Sequence, residues 1–205
     1  MRIRCACHLS ILQELCRQNV GWDDSVPVEI QARWMKWKSQ ITELQNFVIP
    51  RCYKPPGFGK LKKAELHHFS DASFKGYSQS SYLRMVDEND KIHCSFVMGK
   101  ARVTPLKSVT VPRLELTAAV VSVKVSEQLR RELDIDITDE VFWTDSRVLL
   151  GYIANDVRRF HVFVANRVQE IQEKSSPKQW RYVDTKSNPA EIGRASCRER
   201  VYVLV

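Results

Sequence analysis

LHHFSDAS, at residues 66–73, joins an apolar and aromatic run to a small polar end, and it predicts a strand that runs into a turn. The same kind of pattern predicts strands at residues 76–86 and 92–103. The charged residues 87–90 form the turn between these two strands. Three consecutive strands joined by short turns indicate a meander, which is the simplest arrangement of this part of the chain.

After the meander, the spacing of the apolar residues changes to the period of a helix. Pro112 opens this helix, its apolar face extends to Leu129, and the charged residues 127–132 end it. The elements predicted beyond it are a short buried strand at 141–144 (VFWT), helices at 146–155 and 160–174, a strand at 179–183 and the start of a helix at 188–190. Strands that alternate with helices after a meander predict an α/β fold, in which helices cover a mixed sheet.

The first part of the chain is predicted to be helical. Apolar spacing predicts one helix at residues 8–18 and a longer amphipathic helix at residues 27–47. Residues 50–60 contain three of the eight prolines and two of the seven glycines, which is typical of a loop. We therefore place a boundary here, between a helical segment formed by residues 1–63 and the domain that follows.

The composition is that of an ordinary globular protein, with 43% hydrophobic and 27% charged residues and a formal net charge of +8. This charge favours a polyanionic partner, although many basic proteins bind no nucleic acid. No run of about 18 apolar residues occurs, so we expect no membrane span. The N-terminus lacks the apolar core of a signal peptide, and the six cysteines have no zinc-site spacing. Reduced thiols in the cytoplasm or nucleus, rather than secretion, are the expectation.

Missing motifs exclude three enzyme classes. Ser146 stands outside the Gly-x-Ser-x-Gly frame of serine hydrolases, and no Gly-x-x-x-x-Gly-Lys loop is present to bind a nucleoside triphosphate. An aspartic peptidase of the retroviral kind needs Asp-Thr-Gly or Asp-Ser-Gly. Neither Asp145-Ser146 nor Asp184-Thr185 continues to glycine, so we find no peptidase site.

Three carboxylates stand out by their positions. Asp71 is at the end of the first strand, Glu115 lies in the first turn of the long helix, and Asp145 follows the VFWT strand. Each has apolar neighbours, where an ionised carboxylate is costly unless a cation or a hydrogen-bond donor stabilises it. Three such acids could share divalent cations, and oxygen ligands favour Mg²⁺ or Mn²⁺ over zinc. Two ions about 3.5–4 Å apart can activate a water molecule and stabilise the leaving oxygen in phosphodiester cleavage.

Each acid also has a structural explanation. Asp71 could be a turn residue, Asp145 could cap the helix that starts at Ser146, and Glu115 could favour the positive end of its helix. The residue pattern alone leaves metal binding and these structural roles equally open.

Three short segments around the acids carry a resemblance: FSDAS at 69–73, PRLEL at 112–116 and WTDS at 143–146. Together they resemble the ribonuclease H region in the Pol polyprotein of BEL/Pao-type LTR retrotransposons. Two longer stretches, 94–116 and 159–167 (RFHVFVANR), show the closest similarity. The resemblance extends over residues 9–190, and its part before the predicted boundary is similar to the connection between the reverse transcriptase and the ribonuclease H domain.

The resemblance implies a ribonuclease H-like fold, with a mixed five-stranded sheet flanked by helices and a helical connection segment before it. It also implies hydrolysis of the RNA strand of RNA/DNA hybrids with two Mg²⁺ or Mn²⁺ ions. Asp71, Glu115 and Asp145 match three of the family's four catalytic and metal-binding acids. The fourth is the aspartate of an Asn-Pro-Ala-Asp motif, which is Asn-Pro-Ala-Glu at residues 188–191. Glu191 then takes the fourth ligand position with an extra methylene, which could misplace its carboxylate.

The family pattern stops after Glu191. Residues 192–201 (IGRASCRERV) resemble the translated read-through of a sequencing adapter, and a genuine divergent tail is the alternative. We expect residues 192–205 to be non-native and Glu191 to come from a hybrid codon that hides a native aspartate. Residues 64–191 are then an incomplete ribonuclease H-like domain without its last helix. Such a chain is expected to be weakly active or inactive, although its parent domain is a nuclease.

Basic side chains precede the acid of the long helix, at Lys100, Arg102, Lys107 and Arg113. They form either a solvated face or a surface that contacts the backbone phosphates of the hybrid. Adjacent residues of a strand face opposite sides. We therefore expect one of His67 and His68 to lie in the core and the other on the surface.

The resemblance implies as partners an RNA/DNA hybrid and the reverse transcriptase and integrase regions of the same polyprotein, in a cytoplasmic virus-like particle or in the nucleus. A module of the same fold that binds the hybrid without cutting it is the alternative. The presence of all three acids favours the nuclease, since a non-catalytic copy would be free to lose them. An integrase-type core is disfavoured because Glu115 precedes Asp145.

Overall fold

The computed structural model describes residues 7–46, 48, 52–155 and 160–190. Its helices are α1 (Cys7–Arg17), α2 (Val28–Ile41), α3 (Val111–Glu132), α4 (Arg147–Ile153) and α5 (Val162–Lys174), with short 3₁₀ helices at Thr42–Asn46 and Pro177–Gln179. Its strands are β1 (Leu61–Ser73), β2 (Gly76–Asp87), β3 (Ile92–Val103), β4 (Asp139–Thr144) and β5 (Trp180–Tyr182). The expectations for Glu191 and for residues 192–205 lie outside the described residues.

The five strands form one mixed sheet in the order β3-β2-β1-β4-β5. β1, β2 and β3 are antiparallel neighbours, whereas β4 runs parallel to β1 and β5 runs parallel to β4. The predicted meander and the predicted mixed five-stranded sheet flanked by helices are therefore confirmed.

β1 is longer than the sequence pattern predicts. It begins at Leu61, five residues earlier, because its whole length pairs with β2 as far as the turn before Gly76. The pairing continues past Asp71, which lies opposite Ser78. Asp71 is therefore held within a strand, and the alternative that it is a turn residue is wrong.

The main helices pack on one face of the sheet. α3 crosses this face and contacts β1 and β2 with one end, and β4, α4 and α5 with the other. The first contact is an apolar cluster of Phe58, Ala64, Leu66, Leu83, Met85, Val125 and Leu129. The second is a cluster of Leu116, Ala119, Val120, Val123, Phe142, Leu149, Ile153, Val168, Ile171 and Trp180. The two clusters fix α3 against the sheet along its length.

A buried polar network lies beneath α3 at the start of β4. Glu140 is 3% exposed, and its carboxylate accepts hydrogen bonds from His68 Nε2 at 2.9 Å, from the Ser126 hydroxyl and from Arg130 Nη2 at 2.9 Å. His68 Nδ1 lies 2.7 Å from Ser81 Oγ. One carboxylate thus joins β1, β2, β4 and α3.

Both adjacent histidines are buried, so the prediction that one lies on the surface is wrong. His68 is fully buried beneath α3, and His67 is 7% exposed on the opposite face. There, Trp143 Nε1 donates a hydrogen bond to His67 Nδ1 at 3.0 Å, and the two rings stack. The alternation of side chains is as expected, but both faces of the sheet are covered at this point.

The helices α1 and α2 pack against each other beside β3. Ile11 and Ile30 are buried, and the Gln13 amide donates a hydrogen bond to the carbonyl of Thr104, just beyond β3. α2 ends earlier than predicted, and Thr42–Asn46 continue as a 3₁₀ helix. Within the described ranges, no helix is both long and apolar enough to cross a membrane.

Replacing the network carboxylate tests its contribution to the fold. Glu140→Ala is expected to lower the free energy of unfolding by about 3 kcal/mol, because it leaves the buried partners of a charged group unpaired. Burial alone raises the pKa of Glu140, but the hydrogen bonds from His68 and Ser126 and the charge of Arg130 outweigh it and lower the pKa. The stabilisation is therefore complete above the ordinary value of 4.5 and is lost as pH falls through the lower folded-state pKa.

Urea unfolding followed by circular dichroism, at pH 7 and below pH 4.5, measures both effects. Glu132→Ala is the matched control, because Glu132 is exposed and its ion pair is with the exposed Arg131, so a change within about 0.5 kcal/mol is expected. If the two variants lose the same free energy of unfolding, Glu140 is not the stabilising group proposed here.

Candidate functional site

Asp71 and Asp145 come together because β1 and β4 are parallel. Ser70 and Thr144 are the last paired residues of the two strands, and the aspartates follow them at neighbouring carboxyl ends. Asp71 is 7% exposed and lies opposite Ser78 of β2. This end of a parallel strand pair is where α/β proteins commonly bind ligands.

Ser146 connects this strand end with Glu115. Its hydroxyl accepts a hydrogen bond from the Leu149 N–H at 3.1 Å, which makes it the N-cap of α4, and donates one to the Glu115 carboxylate. The alternative that Asp145 is the cap is therefore wrong. A serine directly before a helical run is a cap signal, and the sequence contains this signal at Ser146.

Glu115 lies just beyond the first turn of α3, and that turn contains no acidic residue. The expected position within the first turn is therefore wrong. Because the field of the helix end falls off within one turn, this field does not explain the acid. Glu115 is held by the packing of α3 on the sheet, half-buried and facing the start of α4.

The charges of this site are poorly compensated. Burial raises the pKa of the Glu115 carboxyl, the hydrogen bond from Ser146 lowers it, and the charge of Asp145 raises it, with a net upward shift. Asp145 accepts a hydrogen bond from the Thr185 hydroxyl at 2.7 Å. Among the described residues, no Lys, Arg or His nitrogen lies within 4.0 Å of Glu115 or Asp145.

Two other partly or fully buried glutamates, unlike Glu115, are paired with an arginine. Glu65 is paired with Arg84 at 2.6 Å and Glu140 with Arg130 at 2.9 Å, and both have lowered pKa values although burial opposes this. Close carboxylates without a cation are typical of a functional site rather than of a structural ion pair.

The segment after β5 returns to the same end of the sheet. Asn188 Nδ2 donates a hydrogen bond to the Ser70 carbonyl at 3.0 Å, and the Ser78 hydroxyl donates one to the Ala190 carbonyl. Ser78 is the cross-strand neighbour of the first aspartate. The described chain therefore ends beside the acids, directly before Glu191, which itself lies outside the described residues.

The donor set fits a hard divalent cation, although the described side chains do not form a complete cage. No group of three or more His, Cys, Asp or Glu residues in the described ranges is arranged to hold a metal ion. Mg²⁺ needs no such group, since it is bound by one or two carboxylates together with water and substrate phosphates. Of the four predicted ligands, Asp71, Glu115 and Asp145 lie in the described part of the chain and Glu191 does not.

The four predicted basic residues lie on three different segments. Lys100 and Arg102 are exposed on the edge strand β3, Lys107 is in the loop before α3, and Arg113 is in the first turn of α3. Lys100 Nζ donates a hydrogen bond to Gln128 Oε1 at 3.2 Å, so its charge lies beside α3. The structure thus does not gather the four into one cluster.

Several solved structures resemble this one weakly. Ribonuclease H1 from Halobacterium salinarum is 9% identical with a TM-score of 0.40, and the match covers 62% of this chain and 90% of that one. LC11-RNase H1 in complex with an RNA/DNA hybrid is 8% identical with a TM-score of 0.40, over 62% and 88%. The protease-reverse transcriptase of prototype foamy virus is 11% identical with a TM-score of 0.40, over 82% and 25%. At these scores the similarity carries no inference about function. No curated protein matches the sequence.

A family model gives the decisive comparison. The model described as the Pao retrotransposon-like RNaseH-like domain matches residues 7–146. The matched part includes Asp71, Glu115 and Asp145 as well as α1, α2 and the first four strands. Since the match spans more than half of the chain, the chain belongs to the Pao retrotransposon-like RNaseH-like domain family.

Proposed function

We propose that this chain carries the site of a metal-dependent ribonuclease H domain of a retrotransposon Pol polyprotein. The parent domain cleaves the RNA strand of RNA/DNA hybrids, and this incomplete chain does so only weakly. The observation that carries the proposal is the group of acids at the carboxyl ends of β1 and β4. Among the described residues, no Lys, Arg or His nitrogen lies within 4.0 Å of Asp145 or the half-buried Glu115, and the buried Asp71 lies near the end of the neighbouring strand. The repulsion between Glu115 and Asp145 favours a bound divalent cation over the metal-free state.

Asp71, Glu115 and Asp145 would hold two Mg²⁺ or Mn²⁺ ions, with Glu191 as the fourth ligand. When bound, such ions supply an activated water molecule and stabilise the charge on the leaving oxygen. The protein orients the ligands: the Ser146 hydroxyl fixes one oxygen of Glu115.

Neighbouring hydrogen bonds complete this orientation. The Thr185 hydroxyl fixes one oxygen of Asp145. The bonds of Asn188 and Ala190 to β1 and β2 hold the segment that leads to the fourth ligand.

Membership of a retrotransposon-like family supports a place for this domain in a polyprotein. We propose that the natural partners are the reverse transcriptase region before the helical segment of residues 1–63 and an integrase region after the domain of residues 64–191. We also propose that this domain acts in a cytoplasmic virus-like particle or in the nucleus.

Removing the first aspartate tests the activity directly. Asp71→Asn is expected to reduce Mg²⁺-dependent cleavage of the RNA strand by about 100-fold or more, because it removes a charged ligand at the reacting centre. Cleavage of a labelled hybrid, resolved on denaturing gels, measures the rate.

The matched control is Asp90→Asn, because Asp90 is exposed in the β2–β3 turn, has a positive φ that asparagine also tolerates, and pairs with Lys62. Its rate should stay at that of the parent chain. If neither the folded parent chain nor a version with Asp at position 191 and the family's last helix restored cuts the hybrid, although both bind it, the non-catalytic binding module replaces the nuclease.

The repulsion between the acids predicts a stability effect that needs no cleavage. An acid whose folded-state pKa is raised lowers stability as pH rises through that pKa. Without metal, Glu115→Gln is therefore expected to be more stable than the parent chain at pH 7, and the difference should shrink as pH falls. Thermal unfolding in EDTA measures this effect.

Added Mg²⁺ should reverse the order of thermal stability of the parent chain and Glu115→Gln. It is expected to raise the melting temperature of the parent chain more than that of Glu115→Gln, because only the parent has the full carboxylate set. A variant that is less stable than the parent in EDTA, or equal Mg²⁺ effects on both, would contradict the proposed metal site.

Position 191 predicts a gain of activity. Glu191→Asp restores the aspartate of the family motif and shortens the side chain by one methylene. We expect kcat/KM for hybrid cleavage to increase about tenfold, since small misplacements of a catalytic group have effects of this order or larger. Glu173→Asp, an exposed position on α5, is the control, and an unchanged or lower rate for Glu191→Asp would show that the fourth ligand position is not limiting.

A further inference from the structure

Two arginines lie over one aromatic ring near the start of α3. The Cζ atom of Arg113 is 5.2 Å from the ring centroid of Phe163, and the Cζ atom of Arg167 is 3.5 Å from the same centroid. Arg113 belongs to the first turn of α3, two residues before Glu115, while Phe163 and Arg167 are one turn apart on α5. The ring thus contacts guanidinium groups of two different helices.

Neither guanidinium group has a carboxylate partner. In the part of the chain that the structure describes, no Asp or Glu oxygen lies within 4.0 Å of Arg113 or Arg167. Arg167 Nη1 donates a hydrogen bond to the Phe163 carbonyl at 3.2 Å, which fixes the position of its side chain. Arg84, which is also partly buried, is by contrast paired with Glu65 at 2.6 Å.

The location links this pair to the acids. Arg167 is partly buried, which lowers the pKa of its guanidinium, while the nearby Glu170 and Tyr77 raise it. Arg113 is two residues before Glu115 on α3, so the pair of arginines lies near the Glu115 part of the acidic site, on the side of the sheet covered by the helices.

The local field adds to the positive charge. α5 begins at the residue before Phe163, and Arg113 from the first turn of α3 reaches the same ring. Neither helix has an acidic residue in its first turn, and the side chain of Thr110, the residue before α3, makes no cap hydrogen bond. The field of these helix starts adds to the charge of the two arginines and favours an anion.

We propose that Arg113 and Arg167, held on the Phe163 ring, bind one backbone phosphate of the nucleic acid whose RNA strand lies at the acidic site. The inference rests on the proposed function for the identity of the ligand. Guanidinium groups suit this task, because their planar donors match phosphate oxygens and they stack on aromatic rings. Arg167 is not among the basic residues predicted from the sequence. The Phe163 ring contacts both guanidinium groups and so brings two residues from different helices into one site.

Equilibrium binding tests the proposal without any cleavage. The probe is a fluorescently labelled RNA/DNA hybrid, titrated with the full chain in EDTA at several salt concentrations. Arg113→Gln and Arg167→Gln are each expected to raise Kd about tenfold and to reduce the slope of log Kd against log salt by about 1. Because both would lose the same phosphate, the double variant should show a combined effect smaller than the product of the single effects.

Two further variants separate binding from folding. Arg131→Gln removes the same charge at the far end of α3, about 27 Å away along the helix, and should leave Kd and the slope unchanged. Phe163→Leu keeps the charges but removes the ring, so it should raise Kd without changing the slope. Melting temperatures measured by circular dichroism check that each variant is folded.

The outcomes distinguish this proposal from the nuclease. Binding that depends on the two arginines, in a chain that does not cleave even with Asp at position 191 and the family's last helix restored, would support the phosphate site and overturn the proposed activity. The phosphate site would be overturned if Kd and the slope are unchanged in both arginine variants, or if their affinity falls no more than that of Arg131→Gln. It would also be overturned if the arginine variants differ from the parent chain only by a lower melting temperature, or if the folded parent chain does not bind the hybrid.

Discussion

The parallel hydrogen bonds between β1 and β4 align Ser70 with Thr144, and the position of each acid follows from this register. A shift by one residue would turn Asp145 to the other face of the sheet, because side chains alternate along a strand. The third acid depends on the same strand, since α3 packs Leu116 and Ala119 into the cluster that contains Phe142 of β4. The geometry of the site is therefore determined by the packing of the core.

β4 has opposite electrostatic conditions at its two ends. At its start, Glu140 is surrounded by donors and a cation, and its pKa is lowered. At its end, Asp145 lies near Glu115, whose pKa is raised. The first arrangement stabilises the fold and the second opposes it, which is the usual relation between a binding site and its scaffold. A well-anchored strand allows the repulsion to persist at its other end.

The sequence pattern predicts the elements well but their contacts poorly. Strands, the long helix and the three acids follow from local periodicity and from position at element ends. The full length of β1 does not, because its first residues are strand only through pairing with β2. The burial of His67 depends on Trp143, and the contact of Arg167 with Arg113 through Phe163 depends on how α5 packs on α3. Such contacts join residues that are far apart in the chain, so no local pattern contains them.

Ser146 couples the acidic site to the dynamics of a short helix. A hydroxyl can donate one hydrogen bond, and that of Ser146 donates it to the Glu115 carboxylate. A lone pair of the same oxygen accepts a hydrogen bond from the Leu149 N–H in the first turn of α4. α4 has only seven residues, and short helices fray readily at their ends. Whenever its first turn opens, the serine loses the orientation that aims its proton at the carboxylate. The fraction of time in which Glu115 is correctly oriented is therefore limited by the local stability of the shortest α-helix described.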